Sequence, residues 1–229
     1  MWNVLLDPLP EEYKGFRIDS DFRVGIQIFQ LLLDDDLENE ERIFAAVALL
    51  FMDSDAEGNP APFRDESGDP LPIPDPQTAA EGIEWFLSDW YTDNHIGDDK
   101  KENRVTDYDK DQWRIYSGFL TQYKINLNTA KLHFWEFMGL LTTLDEESAY
   151  KSVISVRQKK IKPKMDPEYK KQIKDAKAIY ALESGKAEYT DEEKEAIDAF
   201  DRMMAEQKEI QKRKCKEEEL FILMNGCGQ

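Results

Sequence analysis

Apolar positions recur at helical spacing through most of the chain. Phe22, Ile26, Phe29 and Leu33 follow at intervals of four, three and four, which predicts a helix from about Ser20 to Leu33 capped by Ser20 or Asp21. The acidic turn Asp34-Asp35-Asp36 ends it, and a second helix starts near Glu38–Glu41 with Ile43, Phe44, Val47, Leu50 and Phe51 on one face. A third spans roughly Gln77–Tyr91, with Ile83, Phe86, Leu87 and Trp90 as its stripe. From Asp107 the chain is dense in aromatic residues, and Trp113, Tyr116, Phe119, Leu120 and Tyr123 predict a strongly amphipathic helix. Asn126-Leu127-Asn128 reads as a stop and a start, with Asn128 capping a helix to about Leu144. That helix carries Leu132, Trp135, Phe137, Met138, Leu140 and Leu141 and is apolar on most sides, as a central buried helix is. Two more follow, from Asp145 to Ile161 with a basic end and, after Pro163 and Pro167, from Glu168 to about Leu182.

The pattern breaks in three places. Between Ser54 and Pro76 stand six prolines, two glycines and several acids, which predicts a long loop at 53–76. Residues 92–106 form a second polar loop. The C-terminal segment opens on the capping box Thr190-Asp191-Glu192-Glu193 and shows one stripe, Ile197, Phe200, Met203 and Met204, that fades after Ile210. From Glu206 to Glu219 ten of fourteen residues are charged, so that stretch projects from the body before the apolar run Leu220-Phe221-Ile222-Leu223-Met224. No repeat appears at 20–50 residues. The fold class predicted is all-α: an irregular domain of about six to seven helices at 1–183, then a long charged helical extension at 184–229. A short N-terminal β-hairpin fits around Tyr13–Ile18.

Charge changes the picture of partners. Residues 1–145 carry 30 acidic against 12 basic side chains, which accounts for the whole net charge of -18, since 146–229 carry 18 of each. An acidic body disfavours nucleic acid, which needs Lys and Arg against its phosphates, and disfavours an anionic membrane surface. A basic or apolar protein partner fits better. The two cysteines, Cys215 and Cys227, provide no disulfide framework for the main domain, which points to a reducing compartment. The start, Met1-Trp2-Asn3-Val4, lacks the basic and apolar regions of a secretory signal, and no apolar stretch approaches the ~20 residues that span a bilayer. The expected location is the cytoplasm.

Candidate chemistry is sparse. His95 sits in a polar loop and His133 in the central helix, without a third ligand at metal-site spacing; His133 reads as a packed or surface histidine. No Gly-rich phosphate loop, nucleophile elbow or HExxH helix occurs. Asp53-Ser54-Asp55-Ala56-Glu57-Gly58 matches the first half of a calcium loop, but the closing twelfth position is Arg64 and Pro60 and Pro62 distort it; it reads as an acidic solvated turn. The aromatic residues at 108–141 read as core. No catalytic residue, metal or cofactor is expected, and the protein is read as a non-enzyme. The Leu220–Met224 run, separated from the core by charge, is expected to dock on a partner or a sister subunit, with Met203 and Met204 as adaptable contacts.

These residues resemble a known family. Tyr108-Asp109-Lys110-Asp111, Ile115-Tyr116, Phe119 and Tyr123-Lys124-Ile125-Asn126-Leu127 are similar to the pattern "YDF..D...IY..F...YGIDL" of the phage gene-product-fifteen family. Leu132-His133-Phe134-Trp135-Glu136-Phe137 follows like that family's "LHWWKF", Ser155-Val156-Arg157 resembles its helix end "IR", and Ile18-Asp19-Ser20-Asp21-Phe22-Arg23 its "I.TDFR". The likeness covers roughly 13–182. It departs at Lys124, where the family usually has Gly, in the Pro-rich loop, and in the extension after Ser184.

The resemblance implies a tail assembly chaperone of siphophages, encoded ahead of the tape measure gene. Such a protein binds the tape measure protein, helps recruit tail tube subunits, self-associates, works in the host cell cytoplasm and is absent from the mature virion. The family brings no catalytic residues. The alternative is a phage regulatory or anti-defence protein that sequesters a host protein through its acidic face.

Overall fold

The apolar periodicities fold into helices wherever a cap or a proline marks a start. A computed structural model of the protein describes residues 3–34, 36–90, 105–182, 189–199 and 202. The chain forms two units, Met1–Ser152 and Val153–Gln229. In the first, β1 (Glu12–Tyr13) and β2 (Phe16–Arg17) make a small antiparallel hairpin. Its turn residues Lys14 and Gly15 both have positive φ, as a two-residue hairpin turn requires. The helices of this unit are α1 (Phe22–Leu33), α2 (Asn39–Phe51), α3 (Pro76–Ser88), α4 (Gln112–Gly118) and α5 (Phe134–Thr142). Capping explains several starts. Asp21 accepts from the Arg23 N–H, Glu38 and Glu41 form a reciprocal box, and Asp75 accepts from the Gln77 and Thr78 N–H groups with Pro76 behind it.

The core lies where α1, α2, α3 and α5 meet, around Ile28, Leu50, Phe51, Phe86 and Phe134. Helix α1 is central to it, packing on α2, α3 and α5. A second aromatic stack extends it: Phe137 lies between Phe22 and Phe119, with centroids 4.9 and 5.2 Å away and rings near parallel. The indole N–H of Trp135 donates to the Phe86 carbonyl at 2.7 Å, satisfying one of the orphan acceptors in the last turn of α3. Close approach of α1 to α5 depends on Gly25. A Cβ there would fall inside the ring of Phe134, which is buried behind it.

In the second unit, α6 (Ala149–Gln158), within which the division falls, leads to α7 (Pro167–Ile179), and residues 191–199 are helical. The capping box forms as predicted. The Glu193 N–H donates to Thr190 Oγ1, and the Thr190 N–H to Glu193 Oε2 at 2.9 Å. Glu193 has a further task, because its Oε1 accepts from the Ile161 N–H at 2.9 Å and from Lys177 Nζ at 3.0 Å. Both side chains of that pair are 4% exposed. Burial alone would raise the Glu193 pKa, but these donors together hold it below the ordinary carboxylate value. This is why residues 160–182 and 189–199 belong to one unit, whereas the sequence pattern draws its boundary near 183.

Several expectations change. The segment 53–76 is no open loop: β3 (Met52–Ser54) pairs with β4 (Pro60–Pro62), and Arg64 bridges to Pro70. Two matching turns do this. Asp55 Oδ1 accepts from Glu57 and Asn59, and Asp65 Oδ1 accepts from Ser67 and Asp69. Gly58 and Gly68 close them at φ +85 and +87. The sequences Asp55-Ala56-Glu57-Gly58-Asn59-Pro60 and Asp65-Glu66-Ser67-Gly68-Asp69-Pro70 are thus a ten-residue tandem repeat. Asn128 caps no helix; α5 starts at Phe134, because residues 132–134 are extended to pair with 20–22. The helix at 112–123 is α4 continued by a π-helical turn, Phe119–Tyr123; it buries Ile115 and Phe119, and Trp113, on the opposite face, is 74% exposed. Ile43 and Phe44 also lie outside the core. The helix at the C-terminus is described only over 191–199 and at 202; the rest of the expected long charged helix, most of the 92–106 loop and His95 lie outside the described residues.

Substituting Gly25→Ala should destabilise the protein by about 1–3 kcal/mol, as overpacking does when a rigid ring cannot move aside. A denaturant midpoint equal to that of the wild type would show that α1 and α5 are not held at this distance.

Candidate partner-binding surface

The signature residues at 108–137 tie segments together. Asp111 is fully buried; Oδ2 accepts from the Asp107 N–H and Oδ1 pairs with Arg114 at 3.1 Å. Tyr108 packs edge-on against Phe29 and reaches Met138 Sδ, and burial pushes its hydroxyl pKa up. Tyr116 donates to Asn126 Oδ1, and Tyr123 to the Leu140 carbonyl at 2.9 Å. Lys124 ends the π-helical turn in the left-handed region, φ +60, where glycine is favoured.

A polar knot joins the two motif regions. Arg23 pairs with Asp21 and donates to the carbonyls of Leu127 and Ala130 at 2.6 and 3.2 Å, while its guanidinium lies over the Phe22 ring. His133 caps α5. Its Nδ1 accepts from the Trp135 N–H, so Nε2 carries the proton and donates to the Pro10 carbonyl at 2.9 Å. Only the neutral ring can do both. Burial lowers the His133 pKa from its ordinary 6.5, with the Pro10 carbonyl and Glu11 offsetting part of that. Of the two readings, packed or surface, the half-buried His133 fits the first, though it lies before the helix and not within it.

Among the described residues, no group of three or more His, Cys, Asp or Glu is placed to hold a metal ion. At the Asp53–Gly58 turn the Asp55 carboxylate is occupied by its own backbone, and the Asn59 N–H holds its pKa below the ordinary range.

What the first unit does present is apolar surface. A groove of about 1120 Å³ runs beside α1 and α2, lined by Phe29, Leu31, Leu33, Phe44 and Leu49 and bordered by the 106–109 segment. Phe44 is 67% exposed and Ile43, its neighbour, is exposed as well. A smaller hollow of about 450 Å³ lies under Trp113, between Ile26 and Tyr116. The partner-binding residues expected from sequence, Met203, Met204, Leu220, Phe221, Ile222, Leu223 and Met224, lie outside the described residues. The groove was not anticipated. Ile43 and Phe44 share the stripe of Leu50 and Phe51 but lie nearer the start of α2, ahead of the residues Ala46, Leu50 and Phe51 that the core buries.

The family model described as "Bacteriophage Gp15 protein" matches residues 5–182. The chain belongs to this family. No curated protein and no solved structure matches it. The Gp15 match covers the whole knot at Asp21, Arg23 and His133, together with the groove helices α1 and α2. It also includes Lys124, whose left-handed conformation gives a backbone reason for the Gly usual there.

Two outcomes test this geometry. Lys124→Gly should stabilise the protein by about 1 kcal/mol, the cost of a side chain in the left-handed region; a lower denaturant midpoint would mean that the Lys124 contact with the Thr121 carbonyl outweighs the strain. For His133, the unfolded ring protonates near 6.5 and the folded ring at lower pH. The stability this group contributes is therefore full above 6.5 and is lost as pH falls below it. His133→Asn, which keeps a capping acceptor but cannot titrate, should lose less stability than the wild type between pH 7.5 and 5.5. Parallel pH profiles for the two proteins would refute the role of the neutral ring.

Proposed function

We propose that this Gp15-family protein is a non-enzymatic tail assembly chaperone that binds the phage tape measure protein and assists tail tube assembly. The observation that carries this reading is an apolar groove with an exposed Phe44 on an acidic body of a phage protein. An exposed apolar patch marks a contact for another protein, and the charge of -18 would keep a complex with an apolar client soluble. Binding of tail tube subunits, self-association, action in the host cytoplasm and absence from the finished virion belong to the same proposal. The Leu220–Met224 run, with Met203 and Met204, serves in it as a second contact.

Co-expression with the tape measure protein, followed by sizing with light scattering, is the direct test. The expected result is a soluble complex where the tape measure protein alone precipitates. Deleting residues 203–229 leaves Glu193 against Lys177 and should weaken the complex. No association at all would overturn tape measure binding.

A further inference from the structure

The groove beside α1 and α2 has a chemistry that selects its occupant. The two helices are antiparallel, since the Asp19 N–H, ahead of α1, donates to the carbonyl of Leu50 near the end of α2 at 2.8 Å. Each end of the groove therefore holds the C-terminus of one helix beside the N-terminus of the other, so the backbone dipoles offset and the side chains set the charge there. Neither helix has a basic residue in its last turn, though Arg42 of α2 donates to the Leu32 carbonyl near the end of α1 at 3.5 Å. Acids stand at both ends instead: Asp34 follows α1, and Asp53 follows α2 with Asp19 beside it. Between them Phe29, Leu33, Phe44 and Leu49 supply apolar contact, with Gln27 and Gln30 among them and Asp107 and Asp109 along the border. None of the described residues lining the groove is basic.

We propose that this groove is the docking site for an amphipathic helix with basic residues at both ends. The helix is one of about three turns, because α2, at 13 residues and ~1.5 Å per residue, sets a length of about 20 Å. Its apolar stripe lies on Phe44 and Leu33, and its lysines or arginines meet Asp34 at one end and Asp53 at the other. The proposal rests on the reading that this protein holds a client, and it names the client segment by charge and length. An acidic helix of the same apolar pattern is disfavoured by the same ends.

The test uses the full-length protein and two synthetic helical peptides of about fourteen residues. Both carry leucines at i, i+3, i+4 and i+7; one has lysines at its ends and the other glutamates. The lysine peptide should bind and the glutamate peptide should not, read by fluorescence anisotropy. Phe44→Ala should weaken binding by about tenfold or more, as expected for a buried aromatic anchor. Asp34→Asn should weaken it more than Asp65→Asn, which removes the same charge from a hairpin turn outside the groove. All three side chains are exposed, so the variants keep the fold. Unchanged binding by Phe44→Ala, or equal losses from the two Asp→Asn variants, would reduce the effect to general attraction and overturn the proposal. The two readings separate cleanly. If the peptide behaves as expected but the tape measure protein stays insoluble, the chaperone reading fails and the groove stands. If Phe44→Ala solubilises the tape measure protein as well as the wild type does, the groove proposal fails and the chaperone reading stands.

Discussion

Everything in the first unit depends on the meeting of two backbone segments more than a hundred residues apart. The Phe22 N–H donates to the Leu132 carbonyl and the Phe134 N–H to the Ser20 carbonyl, at 3.0 and 2.8 Å. Both bonds use donors from first turns, which no helix can satisfy internally. They set the start of α1 beside the start of α5, and Gly25 allows the helices to close until Phe134 lies against backbone. Arg23 then fills the two acceptors left on the Leu127–Ala130 side, and His133 reaches back to Pro10. Closing so long a loop costs entropy that only several simultaneous bonds recover. Among the described residues no buried side-chain nitrogen or oxygen lacks a partner, which is consistent with a junction that tolerates no missing member.

The helices were legible from sequence because their signals are local. Periodicity, Asp75-Pro76, Asp166-Pro167 and the Thr190–Glu193 box each act within one turn, and all of them appear in the structure. The hairpin at Tyr13–Ile18 was legible for the same reason. Misplacing the α5 start came from a tertiary cause. Asn128 is a fine cap in isolation, but the chain there accepts Arg23 and pairs with Ser20–Phe22, so helix is postponed to His133. The π-helical turn at Phe119–Tyr123 is similarly invisible to a 3.6-residue period, and Trp113 is turned outward because α4 buries the opposite face at Ile115. The tandem turns at Asp55 and Asp65 were overlooked because their period is ten, too short for a folded repeat yet long enough for a hairpin turn each. Proline count alone suggested a long loop there, when Asp-x-x-Gly at each tip fixes the backbone.

The surface was the least legible part, and the reason is physical. An apolar residue on a helix is counted toward a core unless something shows which face the fold leaves open. On α2 the small residue Ala46 and the large Leu50 and Phe51 are buried, while Phe44 is not. The choice is made by what α1, α3 and α5 present, not by α2 itself. The second unit shows the converse. Lys177 and Glu193 would each read as solvated charges, but they bury together because Glu193 also satisfies the Ile161 and Thr190 amides. A buried pair of this kind is costly to break from one side.

A groove built from apolar floor and acidic ends suits a holder that must later let go. Rim carboxylates in water contribute at most about 1 kcal/mol each, and their main effect is on encounter rate with a basic partner. Residence then comes from the floor, where burying a side chain the size of Phe44 is worth about 1.5–3 kcal/mol. One anchor of that kind gives weak, reversible capture. A client with several such segments would be held tightly as a whole, while each segment is still released in turn when another protein competes for it. On the proposed reading, the net charge of the body adds the remaining constraint: loaded copies would repel one another, and a client covered along its length would stay dispersed.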